Sequence, residues 1–302
     1  MTIATLKLPS TRRSGPDDFQ QQLAHWNRRR LAMGKPSDDW RDDLDDEHAM
    51  RLREGDWIES LRAEVADRAA EAPSDPEGFV AWFETLQTTG PGQGDPLFPW
   101  LAEHADMPAM RWFLEQEAAG EAGFDDLVAL AQVKAPTKAK LELAKNYWDE
   151  MGRGNEGGMH GPMLNRLVAA LELQPTIEGT VWQSLALANA MTAFSTSRRY
   201  AYHAIGALGV VELTAPGRSA ATAAGLKRLG IAPKIRHYFD LHAILDVKHS
   251  ETWNEEAFKP LVAADPDCAR YLAEGALIRL LCGARCFDAY RGRLWATPAN
   301  AA

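Results

Sequence analysis

YFDLHAILDVKHSETW, running from Tyr238 to Trp253, sets His242, Asp246 and His249 at i, i+4 and i+7. At about 100° per residue the three side chains fall near 0°, 40° and −20° around a helix, within one narrow stripe. Leu245 shares that stripe, so the stripe is expected to face inward. Three metal-competent groups on an inward face are hard to bury unless a cation sits between them. Imidazole and carboxylate together suit iron, manganese or zinc. The plainer alternative is a set of histidines at a helix surface, or one satisfied core histidine. On spacing alone both readings stay open.

Working outward from this helix, apolar residues recur every three to four positions over most of the chain, as at Val80, Trp82, Phe83 and Leu86. Helices are expected over 19–32, 47–72, 110–132, 141–151, 164–173, 181–209, 220–230, 237–248 and 269–290. No alternating run is long enough for a strand, and no internal repeat is present. The fold class is therefore all-α, a bundle joined at Gly/Pro clusters such as 88–96. Residues 1–18 are polar and expected to be disordered. A turn-rich break, APSDPEG at 72–78, suggests a helical N-terminal extension over 19–77 and a main domain over 78–302. The acidic run DDWRDDLDDE (38–47) is read as a helix start or a solvated helix face, with a metal or partner patch as the alternative.

Composition excludes more than it assigns. The chain has 302 residues, 33 Lys+Arg and 42 Asp+Glu, for a net charge of −9. So acidic a chain is not expected to bind nucleic acid. No apolar run reaches the roughly 20 residues of a membrane span, and no secretion signal opens the sequence. Three clustered cysteines, Cys268, Cys282 and Cys286, make no disulfide framework. Cys282 and Cys286 read as packing residues, with a redox pair as the alternative. The expected location is the cytoplasm.

Three further segments carry ionisable groups. NYWDEMGRGNEGGMH (146–160) ends a helix on Asp149 and Glu150, then runs through four glycines to His160. A regular helix would set Glu150 and His160 about 80° apart, but glycines permit a distortion that brings them together. A plain helix end and loop is the alternative; a phosphate cradle lacks its Lys-Ser/Thr. MRWFLEQEAAGEAGFDDLVAL (110–130) places Glu117 and Glu121 near the apolar side of a helix and Glu115 away from it. AIGALGVVELTAP (204–216) closes an apolar run with Glu212, either at a wet helix end or buried with a partner.

Taken together, Gln116-Glu117, Asn146 to Glu150, His160, Glu212 and the His242, Asp246, His249 triplet resemble the haem-oxygenase-like diiron oxidases and oxygenases, the iron-containing redox enzymes. The resemblance covers roughly residues 78–295. It implies a seven-helix haem-oxygenase-like bundle and a ligand set of Glu117, Glu150, His160, Glu212, His242, Asp246 and His249, with Glu121 as the substitute for Glu117. Glu117, Glu150 and His160 would serve mainly one iron, and Glu212, His242, Asp246 and His249 the other, with Glu150 or Asp246 bridging. The implied cofactors are two Fe(II) ions with O2 as co-substrate. The implied chemistry runs through a peroxo-diferric species that oxidises a small organic substrate by amine N-oxygenation, C–H or C–C cleavage. The four carboxylates of this set balance the charge of two ferrous ions, which makes burial tolerable. The chain has no Glu-x-x-His, the motif of ferritin-like sites.

Asp149, Tyr147 and Trp148 are candidates to orient Glu150, with core packing the plainer role for Trp148. Arg198 and Arg199 are candidates to clamp a substrate carboxylate. A small-molecule substrate, an electron donor and a homodimer are the expected partners. The rival readings are a haem-binding relative using His25 or His48, a metal-free protein of the same fold, and a non-enzymatic interaction protein.

Overall fold

Proline and aspartate punctuate this chain. The Asp75 and Asp106 side chains accept hydrogen bonds from the amides of Gly78 (2.8 Å) and Ala109 (2.9 Å), with a proline just inside each helix. A short acceptor at the cap and a pre-set φ at the first turn both favour initiation. The computed structural model describes residues 15–36 and 38–296. Its helices are α1 (Pro16–Leu31), α2 (Trp40–Ala69), α3 (Pro76–Thr89), α4 (Leu97–Glu103), α5 (Met107–Gly120), α6 (Phe124–Ala131) and α7 (Thr137–Glu150). They continue with α8 (His160–Ala170), α9 (Trp182–Thr196), α10 (Ala201–Arg228), α11 (Pro233–Trp253), α12 (Lys259–Ala264) and α13 (Cys268–Leu294). No strand occurs among the described residues; the one β-bridge joins Met151 and Met159.

The all-α class holds, but the described chain has thirteen α-helices rather than seven. The stretch 110–132 is two helices, not one. Glu121 ends α5 and turns its carboxylate onto the amides of Gly123 (2.8 Å) and Phe124 (3.0 Å), while Ala122 and Gly123 take positive φ. The chain breaks at 197–200 and not around Pro216, which lies inside the continuous α10. Proline there gives no amide to the Glu212 carbonyl one turn back, a loss that tertiary packing offsets. Of the 1–18 segment, residues 1–14 lie outside the described residues. Pro16, Asp17 and Asp18 form the first turn of α1, as a proline and two acids at the positive helix end favour.

Helix α10 runs through the middle of the bundle, packed along α11 on one side and α13 on the other. Gly206 and Gly275 permit the α10–α13 crossing: a Cβ on Gly206 would strike the Leu272 carbonyl, and one on Gly275 the His203 carbonyl. A core of Phe79, Phe83, Phe194, Trp253, Phe258 and Leu272 fills one end. A second core, with Leu97, Met110, Phe113, Leu167 and Tyr290, fills the other. The N-terminal helices are seated on this bundle. Leu23 and Trp26 of α1 and Ile58, Leu61 and Val65 of α2 are buried. Asn189 on α9 donates to Gln20 Oε1 (2.8 Å) and accepts from Asn27 (2.9 Å). The acids of 38–47 form the exposed start of α2. Among the described residues no helix is long and apolar enough to cross a membrane.

Candidate metal centre

Glu150 is the last residue of α7 and His160 the first of α8. Between them the chain makes a closed loop of two 3₁₀ turns, pinned by the antiparallel bridge from Met151 to Met159. Gly152 sits at φ +59°, and a Cβ on it would come within 2.6 Å of the Met159 nitrogen. Only glycine fits a left-handed position with backbone in that space. The closure carries His160 Nδ1 to 2.7 Å from Glu150 Oε2, both side chains buried. From α11, His242 brings its ring centroid to 4.6 Å from that of His160, edge to face. From α10, Glu212 lies buried with Oε2 at 3.4 Å from His249 Nδ1.

Five of the seven residues expected as ligands thus converge in two sets, Glu150–His160–His242 and Glu150–Glu212–His249, with ligand atoms within 4.8 Å of one another in each. Glu150 belongs to both. His242 groups with His160, not with Glu212 and His249 as the resemblance implied. Seven helical steps set His242 and His249 about 10 Å apart along the axis, and each meets a different set of partners. Asp246 and Glu117 line the same cavity but lie outside both sets. Glu117 accepts from the Tyr290 hydroxyl (3.1 Å), and the Glu121 carboxylate is taken up by the cap of α6.

Neighbouring groups aim the donors. His242 Nδ1–H donates to the Tyr238 carbonyl at 2.6 Å, which leaves Nε2 free. His249 Nε2–H donates to Asp149 Oδ2 at 3.2 Å, and Asp149 is held in turn by Arg153 at 2.6 Å. Asp149 therefore orients His249 and not its neighbour Glu150. Asn146 Nδ2 donates to Glu212 Oε1 at 2.7 Å, turning Oε2 toward His249. Tyr147 packs against the core, whereas Trp148 is half exposed and lies over Gly154.

The electrostatics are those of a crowded acidic site. Burial, with Glu212 beside it, pushes the Glu150 carboxyl well above its usual range. Burial and the Glu212 and Glu150 carboxylates push Asp246 up to about 10. His242 is pushed down to about 4 by burial and by His160. For His249 burial opposes the charged form, but Glu212 and Asp149 outweigh it and raise the pKa to about 9. Asp246 Oδ1 is buried with no hydrogen-bond partner, and His160 Nδ1 and His249 Nδ1 face the Glu150 and Glu212 carboxylates off hydrogen-bonding angle. A buried carboxylate oxygen left unsatisfied is costly, and imidazole nitrogens turned toward carboxylate oxygens are the donor set that suits iron. The residues fit a metal centre.

The cavity beside this cluster measures about 160 Å³. Its wall is apolar at Phe98, Phe124, Leu164, Leu187, Met191 and Phe239, and polar at the acids and at Tyr238, Tyr290, Arg218 and Arg279. Arg198 and Arg199, the expected clamp, are exposed at the surface, and Arg199 pairs with Glu59 at 3.0 Å. Arg218 and Arg279 escaped the sequence reading. Their signal was available as lone cations in apolar helical runs, a placement rare without a purpose. His25 is paired with Glu178 at 3.1 Å, and neither His25 nor His48 lines the cavity. The three cysteines are free and buried, and burial raises the Cys282 thiol to about 11, so these are packing residues.

The family profile described as iron-containing redox enzyme matches residues 111–284. A CADD-like protein of unknown function from Nostoc punctiforme has a similar crystal structure, with a TM-score of 0.50 at 14% identity over 81% of this chain and 99% of that one. A second structure of the same CADD-like protein gives 0.49 at 15% identity, over 78% and 97%. No curated protein matches significantly.

Proposed function

Because this chain belongs to the family of iron-containing redox enzymes, we propose that it is an O2-dependent oxidoreductase built on two ferrous ions, which oxidises a small organic substrate in the cavity. The reading rests on the two donor sets that share Glu150, every member buried except the half-buried His242. His160 and His242 would hold one iron, Glu212 and His249 the other, and Glu150 would bridge. Asp246 and Glu117, on the cavity wall, would supply the remaining carboxylates. Iron held by these residues would supply electrons for the reduction of O2, with the substrate or an external donor making up the balance.

The chain's own residues set the conditions. His242 presents Nε2 because Nδ1 is engaged by the Tyr238 carbonyl, and His249 presents Nδ1 because Nε2 is engaged by Asp149. Fixing each tautomer this way orients the ring before a metal arrives. The apolar wall keeps water from the substrate. Amine N-oxygenation, C–H cleavage and C–C cleavage are the outcomes to be separated by product analysis.

The test is an anaerobic Fe(II) titration of purified protein, followed by mixing with O2. Two irons per chain and oxygen uptake are expected. Alanine in place of His242 is expected to remove one iron and abolish uptake. Full iron occupancy in that variant would rule out the ligand set.

A further inference from the structure

Two guanidiniums on the cavity wall are unexplained by the metal cluster. Arg218, two residues beyond Pro216 on α10, has Nη2 at 3.1 Å from Thr214 Oγ1, to which it donates, and its guanidinium carbon stands 5.7 Å from the Phe287 ring. Arg279, on α13, lays its guanidinium forward along its own helix over Gly283, where an added Cβ would meet Nη1 at 3.0 Å. Neither makes a salt bridge, and Arg279 makes no hydrogen bond, among the described residues. Burial disfavours the charge on both, pulling Arg218 down to about 9. The nearby charges that favour them are Glu117, which acts on both, and Asp246, which acts on Arg218; these are carboxylates that iron would also claim, and half-buried cations left short of an anion are where proteins receive one.

The charge count says which anion. Glu117, Glu121, Glu150, Glu212 and Asp246 face the cavity with five negative charges when ionised, against two positive from Arg218 and Arg279. Two ferrous ions, on the reading above on which this inference rests, add four positive charges. The loaded cavity is then left with one net positive charge, which a monoanion neutralises and a phosphate dianion overshoots. A guanidinium presents a planar fork that matches a carboxylate. The size limits the rest of the molecule. A cavity of about 150 Å³ is known to take benzene, and this one measures about 160 Å³ with an apolar wall of Phe98, Leu164, Leu187, Met191 and Phe239.

We propose that Arg218 and Arg279 together bind the carboxylate of the substrate, and that the substrate is a small monocarboxylic acid with an apolar body no larger than about one aromatic ring. The arginines position the acid; they take no part in electron transfer.

The test uses the full chain loaded with Zn(II), which fills the site without turnover. Zinc content is measured first. Fewer than two zinc ions per chain overturns the metal reading and the charge balance with it. With two bound, calorimetric titration compares acetate, hexanoate and phenylacetate with their primary amides and with inorganic phosphate. At least one carboxylate is expected to bind tenfold or more tightly than its amide. Arg218→Gln and Arg279→Gln should each weaken that carboxylate by about 10- to 100-fold, the worth of a charge-assisted hydrogen bond, and leave the amide unchanged. Arg279→Lys should recover part of the loss, and it keeps the comparison available should a glutamine variant not fold. Equal binding of every acid and amide, unchanged carboxylate affinity in the arginine variants, or tighter binding of phosphate than of any carboxylate would each overturn the proposal while leaving the metal site standing.

Discussion

At the scale of single residues, the most informative side chain is one that touches no expected metal position. Asp149 stands next to Glu150 in sequence, yet a helix points consecutive side chains about 100° apart. Its carboxylate therefore reaches across to His249 on α11, where it accepts the Nε2 proton, and is itself anchored by Arg153. Carboxylates in this role fix the ring and raise its basicity. Asp149→Asn keeps the volume and removes the charge. It is expected to weaken metal binding by about 10- to 100-fold with little change in the fold. Competition with a chromophoric chelator would measure this, and wild-type affinity in the variant would exclude the role.

At the scale of elements, the loop between α7 and α8 has one function, to bring its two ends together. Ten residues of regular helix would set Glu150 and His160 about 15 Å apart along the axis; the closed loop brings their side chains to 2.7 Å. Gly152→Ala puts a Cβ against the Gly158–Met159 backbone at a positive φ. The expected cost is about 1–3 kcal/mol in chemical denaturation, together with loss of iron stoichiometry. Gly217→Ala on α10, where nothing lies within 4 Å, is the matched control. It is expected to be neutral or to stabilise by up to about 1 kcal/mol, the helix preference for alanine. Equal behaviour of the two variants would mean that loop closure does not build the site.

At the scale of the molecule, Glu274 ties three helices together. It is buried on α13, 2.7 Å from Arg62 Nε of α2, 2.9 Å from His203 Nε2 of α10 and 3.1 Å from Arg270 Nε. Burial alone would raise its pKa, but His203 and Arg62 outweigh that and hold the carboxyl down at about 2, against 4.5 unperturbed. A group whose folded pKa is depressed binds fewer protons folded than unfolded. Its stabilisation is present above about pH 4.5 and is lost as pH falls toward 2. Urea midpoints should drop steeply across that window, and Glu274→Gln should flatten the drop. An unchanged slope in the variant would place the acid sensitivity elsewhere.

Much of this architecture can be read from the chain alone, because helical period and capping chemistry are local. The all-α class follows from apolar spacing, and the stripe of His242, Asp246 and His249 follows from residues only seven positions apart. Glu150 and His160 were readable as a pair only with the glycines between them. Other features depend on groups far apart in sequence: His242 meeting His160, Asp149 reaching His249, Glu212 held by Asn146, and Arg218 and Arg279 meeting on one cavity wall. Helix crossings set those meetings, and crossings depend on packing that sums over the whole core. A continuous helix through Pro216 belongs to the same class, since tertiary contacts outweigh a local preference worth about 3 kcal/mol; the break at Glu121 is local, made by its own carboxylate on the amides of Gly123 and Phe124.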